Sequence, residues 1–160
     1  MSSTFTFDGE TPAVGPPLIG ALLRLALETV QRAMLEALHA HGFDDLEPHH
    51  LNVLQYPGPQ DMRPSDLAAR LRISKQALNY KLGELERLGY LERHPDPEDM
   101  RSRRIVLTDR GRSIIPVIRD AVEETERAWA AVVGTDRLEQ LRSTLLELHS
   151  RGGEAVTGRA

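Results

Sequence analysis

Cysteine is missing from this 160-residue chain. That absence excludes disulfide frameworks, thiolate zinc sites, iron–sulfur ligation and thiol-based redox sensing together. Long apolar runs are missing too. The longest charge-free stretch lies between Thr11 and Leu23, well short of the roughly 18 apolar residues that a membrane-spanning helix needs, and it lacks the basic flank of a signal peptide. The expectation is a cytoplasmic chain with no membrane partner. Catalytic constellations are equally sparse. The neighbouring carboxylates Glu98 and Asp99, and Glu123 and Glu124, do not face one substrate, and no nucleophile, phosphate loop or metal motif accompanies them, so the chain is not read as an enzyme.

What is present, 40% hydrophobic and 28% charged residues, is the composition of one globular unit. The net charge of −4 argues mildly against a nucleic-acid partner when taken alone. The total hides a split. Residues 63–104 hold ten basic and seven acidic side chains, a surplus of +3, which leaves −7 on the remainder.

Residues 1–15 mix Ser, Thr, Gly and Pro without helical period and are expected to form an irregular arm. Pro16 and Pro17 suit the first turn of a helix. Leu18, Leu22, Leu25, Ala26, Thr29, Val30, Ala33, Met34, Ala37 and Leu38 then recur near every 3.6 residues to about Ala40. Leu23, Leu27 and Leu35 widen this stripe beyond what one small core covers, which points to a partner chain. A short second helix follows Glu47-Pro48, a third opens at Pro64-Ser65-Asp66, and Ser74 caps a fourth over residues 75–88. Two helices joined by a short turn at residues 72–74 have helix-turn-helix spacing. Residues 90–93 and 103–107 read as a hairpin with a long polar tip. Thr108 caps a fifth helix to about Val133, bent at Pro116, and a sixth runs from Gly134-Thr135-Asp136 to Ser150. The fold class is therefore mainly α with a small β-wing, a winged helix-turn-helix flanked by helices at both ends. Its divisions are an arm at 1–15, an N-terminal helix at 16–45, the winged unit at 46–108, C-terminal helices at 109–150 and a flexible tail at 151–160.

On the wheel of the fourth helix Leu78, Leu82 and Leu85 cluster within about 60°, while Gln76, Tyr80, Gly83 and Arg87 share the opposite side, with Asn79 at the margin. Gln and Asn can pair bidentately with adenine, and Ser65, Ser74, Lys75 and Arg87 suit phosphate oxygens. Gly83 costs roughly 1 kcal/mol of helix propensity against Ala, which close approach of the backbone to DNA would explain. The wing offers Arg101, Arg103 and Arg104 to a narrow minor groove, whose negative potential attracts arginine. Asp99 is expected to orient Arg101 through a charge-assisted hydrogen bond. Most polar helix faces are merely solvated. Here the turn, the cap and the basic wing fall in register, which favours double-stranded DNA.

Residues 96–111 resemble the wing signature of the multiple antibiotic resistance regulator (MarR) family, D-x-R-x-x-x-[VI]-x-L-T-x-x-G, met by Asp99, Arg101, Ile105, Leu107, Thr108 and Gly111. Residues 66–79 are similar to the family's helix-turn-helix and 85–93 to its entry into the wing. The resemblance covers about residues 18–150. It implies a homodimer joined through the first, fifth and sixth helices, which binds a palindromic operator and in most members represses until a small aromatic or phenolic anion releases it. It places Gln76, Asn79 and Tyr80 at base-reading positions and Arg101 at the wing arginine. Lys81 departs from the pattern, since an apolar residue is common there, and is expected to snorkel to a phosphate.

His39, His41, His49 and His50 fall close together in sequence, with Asp44, Asp45 and Glu47 as possible co-ligands for zinc. No i, i+4 pair exists among them. No metal or cofactor is assigned, and His41 and His49 are read as lining a ligand pocket where family effectors bind. Phe5 and Phe7 are candidates to clamp a partner subunit. The rival readings are a winged-helix module that docks protein rather than DNA, and a metal-responsive regulator.

Overall fold

The computed structural model describes residues 17–55 and 58–157, with side chains described to Arg151. The expected arm with Phe5 and Phe7 lies outside the described residues. The chain forms α1 (Ile19–Ala40), α2 (Pro48–Leu54), α3 (Pro64–Leu71), α4 (Lys75–Arg87), β1 (Leu91–Pro95), β2 (Arg103–Leu107), α5 (Asp109–Val133) and α6 (Thr135–Thr157). Proline at the first position opens α2 and α3, where no N–H is needed. Serine and threonine hydroxyls cap α4 and α5: Ser74 accepts from the Ala77 amide and Thr108 from the Gly111 amide. The sixth helix runs to Thr157, seven residues beyond the expected end at Ser150.

The core gathers one face of each short element. Leu67 and Ala68 of α3 and Leu78, Leu82 and Leu85 of α4 meet Met34 and Leu38 of α1, Leu51, Val53 and Leu54 of α2, Leu91, Ile105 and Leu107 of the hairpin, and Ile114 of α5. Each fully buried leucine contributes about 1.5–3 kcal/mol relative to an exposed one. The apolar stripe of α1 divides. Its C-terminal half is covered by this core, whereas Leu18, Ile19, Leu22, Leu23, Leu25 and Leu27 stand exposed.

Between α3 and α4 the chain turns at Arg72, in the left-handed region at φ 53°, and the Ile73 amide closes on the Ala68 carbonyl. For a non-glycine residue this conformation costs roughly 1 kcal/mol, offset by the capped start of α4. The antiparallel hairpin pairs Leu91 with Leu107 and Pro95 with Arg103. Sequence periodicity gave no sign of a further edge: the Asp61 amide donates to the Ile105 carbonyl, and the Ile105 amide to that of Met62. Residues 61–62 thereby border β2 and tie the wing to the entrance of α3.

Gly111 sits where α5 crosses the start of β1. A Cβ at this position would lie 1.9 Å from the Tyr90 carbonyl oxygen, so no larger residue fits without moving backbone. Gly111→Ala is expected to destabilise the fold by about 3 kcal/mol, lowering Tm by roughly 10 °C in a thermal melt. An unchanged Tm would mean that the contact between α5 and the strand is loose.

Candidate nucleic-acid interface

The fourth helix presents the face that its wheel predicts. Leu78, Leu82 and Leu85 are fully buried, while Lys75, Gln76, Asn79, Tyr80 and Arg87 are exposed, and Tyr80 retains 68% of its surface. Ser74 holds the N-terminus with its hydroxyl 3.1 Å from the Ala77 amide. Ser65 is exposed in the first turn of α3, its hydroxyl donating to the neighbouring Asp66 carboxylate. Nothing among the described residues lies within 4 Å of where a Cβ on Gly83 would stand, so no packing among them demands glycine at that position.

At the wing, three arginines expected to act alike have different surroundings. Arg101 and Arg103 are exposed and make no ion pair among the described residues. Arg103 borders a cleft of about 340 Å³ with Glu86 and Arg93, and those two are themselves paired at 2.6 Å. Arg104 is turned inward. Its guanidinium lies 3.0 Å from Asp96 and 3.1 Å from Glu98, and it also donates to the Asp61 carbonyl.

Asp96, which sequence reasoning passed over, organises this end of the molecule. Its side chain has no solvent exposure and sits 2.6 Å from the Arg63 Nε. One oxygen accepts the Glu98 amide at 3.0 Å, and the Asp96 amide donates to the Ser102 carbonyl across the tip. The Glu98 amide, aided by the Arg63 and Arg104 guanidiniums, holds the Asp96 carboxyl far below its ordinary range despite burial. Asp99 acts otherwise than expected. Its carboxylate accepts the backbone amide of Arg101 at 3.0 Å, so it shapes the tip through the main chain and does not grip the guanidinium.

Lys81 also departs from expectation. Its ammonium donates to the His49 carbonyl at 3.2 Å and braces α4 against α2 in place of reaching outward. The four histidines separate. His39 meets the Leu46 carbonyl and His41, exposed, the Ala37 carbonyl, both at 2.8 Å. His49 turns instead toward Glu84 of α4 at 3.1 Å, beside the buried ring of His50. His41 and His49, expected to line one ligand pocket, thus have separate partners, on α1 and α4. Burial and the adjacent His49 ring push the His50 imidazole below its ordinary value, against the pull of Glu84 and Glu47. Burial pushes Glu84 upward, but the His49 ring and the Tyr80 hydroxyl outweigh it and leave Glu84 below the usual carboxylate range.

A second polar cluster joins the winged unit to α5. The fully buried Tyr90 donates to Asp45 at 2.5 Å, Arg110 grips the same carboxylate at 2.9 and 3.0 Å, and the Arg110 guanidinium lies 4.5 Å from the Tyr90 ring centre. Burial and the bond to Asp45 push the Tyr90 hydroxyl well above its ordinary value, so it stays a donor.

The MarR family model matches residues 41–102, the stretch that contains α2, α3, α4 and most of the wing. Among curated proteins, the HTH-type transcriptional regulator YkoM of Bacillus subtilis is 32% identical over 93 residues, which is 58% of this chain and 59% of that relative. The HTH-type transcriptional regulator PecS of Dickeya dadantii is 30% identical over 129 residues, 80% of this chain and 77% of PecS. The chain belongs to the MarR family. A crystal structure of MarR superposes with a TM-score of 0.74 at 21% identity, covering 92% of this chain and 99% of its own. A MarR regulator from Methanosarcina mazei gives 0.71 at 19% identity, covering 86% and 97%. This MarR-family chain thus has the winged helix-turn-helix fold and is a DNA-binding transcription regulator by kinship. Both curated relatives are named as regulators and neither as an enzyme.

The contrast among the wing arginines gives two measurable outcomes. Arg104→Ala is expected to lower the thermal stability of the free protein, while Arg101→Ala leaves it unchanged. The folded-state carboxyl of Asp96 titrates below its unfolded value, so its stabilisation is complete above about pH 4 and is lost as the pH falls further. Asp96→Asn should therefore flatten the acid limb of the stability curve as measured by denaturant melts between about pH 5 and 2. An acid limb as steep as that of the parent chain would contradict this assignment.

Proposed function

We propose that the chain is a repressor that binds a palindromic operator as a homodimer and is released by a small aromatic or phenolic anion. The observation that carries the DNA-binding part is the pairing of a capped helix with an open polar face, α4, and a braced wing whose Arg101 and Arg103 make no ion pair among the described residues. In this reading Gln76, Asn79 and Tyr80 meet base edges in the major groove, Ser65, Ser74, Lys75 and Arg87 meet phosphates, and Arg101 enters the minor groove. Arg103 flanks it. Arg104, with Asp99, serves the shape of the wing.

Dimerisation is supported by the exposed apolar residues at the ends of the molecule. Leu18 at the N-cap of α1, Ile19, Leu22, Leu23, Leu25 and Leu27 within it, and Leu141, Leu145, Leu146 and Leu148 of α6 all stand exposed, and clustered apolar residues of this kind mark an association surface. Two-fold pairing would present two α4 helices to successive major grooves, which is why the operator is read as a palindrome. Release by an anion rests on the family resemblance, and the Asp45–Tyr90–Arg110 cluster is the polar link between winged unit and scaffold that such a ligand would disturb.

Retention of host genomic fragments on the purified protein, with and without phenolic anions, tests the whole reading. Log affinity for a retained fragment is expected to fall linearly with log salt. Arg101→Ala should weaken binding about tenfold or more while the dimer persists in sedimentation. Joint replacement of Gln76, Asn79 and Tyr80 by Ala should abolish sequence preference. Unaltered fragment selection by that triple variant would favour the protein-docking module instead.

A further inference from the structure

The first turn of α2 and the C-terminal half of α4 bring together His49, His50 and Glu84, whose ligand atoms all lie within 4.8 Å of one another. We propose that these three side chains bind one divalent transition-metal ion of the zinc type between α2 and α4. The spacing is the first support. Glu84 Oε2 stands 3.1 Å from His49 Nε2 and 3.7 Å from His50 Nε2, and two donors bonded at 2.0–2.1 Å to one tetrahedral centre stand about 3.3 Å apart.

The second support is independent of spacing. His50 is 3% exposed and its Nε2 is buried without a hydrogen-bond partner among the described residues, aimed at the Glu84 carboxylate. A buried polar atom left unpaired is costly, and an ion would satisfy it. His49 adds orientation, since its Nδ1 faces the Glu47 carboxylate at 3.5 Å while Nε2 points to Glu84. A carboxylate behind the far nitrogen is how ligating imidazoles are commonly fixed. His49 and Glu84 remain partly exposed, so water can fill the fourth position.

Two imidazoles and one carboxylate suit zinc, cobalt(II) or nickel(II) and not the oxygen-seeking magnesium or calcium. Two features oppose the ion and keep its affinity below that of a closed four-ligand site. Lys81 sets a positive charge near the His49 carbonyl. The His50 Nδ1 accepts the Glu47 amide at 3.1 Å, so the free ring carries its proton on Nε2. Taking up the ion transfers that proton to Nδ1 and exchanges the amide hydrogen bond for a metal–nitrogen bond.

The site goes beyond the DNA-binding reading and does not rest on it. Full-length protein without a histidine tag, stripped with chelator, is titrated with zinc chloride by calorimetry and with cobalt(II) by visible absorption. The expected result is one ion per chain, cobalt bands of a four- or five-coordinate nitrogen and oxygen site, and a rise in Tm. Glu84→Gln and His49→Gln should each weaken binding at least tenfold, whereas His41→Gln should not. Absence of saturable binding with metal in excess, or full affinity in Glu84→Gln, overturns the proposal. If Glu84→Gln does not fold in a circular dichroism melt, His49→Gln takes its place, and full affinity in that variant overturns the proposal equally.

Discussion

A carboxylate shut away from water governs the winged end of this molecule. Removing an ion from solvent costs several kcal/mol even after relaxation, so Asp96 is tolerable only because two guanidiniums and an amide surround it. Those partners come from separate places. Arg63 is the residue from which α3 starts, Arg104 lies in β2, and the Glu98 amide belongs to the tip. Asp96 therefore ties the wing to the start of α3, alongside the backbone bonds of residues 61–62 to β2.

A different contact joins this reading end to the long helices. Gly111 lets α5 pass against the backbone of Tyr90, Thr108 donates to the Gly89 carbonyl at 2.5 Å, and Arg110 reaches Asp45 in the loop before α2. A rotation of α5 thus acts on the start of β1 and on the α1–α2 loop at once. The charge division is uneven along the chain: the surplus of +3 lies on residues 63–104, and the −7 on the remainder falls mainly on residues 1–62, which hold eight acidic and two basic side chains. Acidic bulk weakens attraction to arbitrary phosphate backbone, leaving discrimination to a few placed cations and base contacts.

Much of this was legible in the sequence where the determinant is local. Ser74 and Thr108 cap helices through atoms three residues away, Pro64 opens α3, and the leucines of α4 keep their period, so helix positions followed directly. Asp96 was not legible because its burial is decided by how the hairpin closes on Arg63, more than thirty positions away, and nothing local separates it from Glu98 or Asp99. For Arg104 a signal existed. Adjacent residues of a strand point to opposite faces, so Arg103 and Arg104 cannot both face outward in the same direction. Glu84 was missed because the histidine pattern was sought along one stretch of chain, whereas its partner comes from another helix.

The border that residues 61–62 make along β2 bears on how such a regulator survives being concentrated. An exposed hairpin is a template for strand addition by another molecule, and unprotected edges of this kind seed aggregates. On the β2 side the Ile105 carbonyl and amide are already spent on Asp61 and Met62, and the Leu107 amide on the Gln60 side chain. On the β1 side Glu92, Arg93, His94 and Pro95 set charge and a missing N–H along the edge. The wing can thus stand out in solvent without inviting its neighbours to extend the sheet.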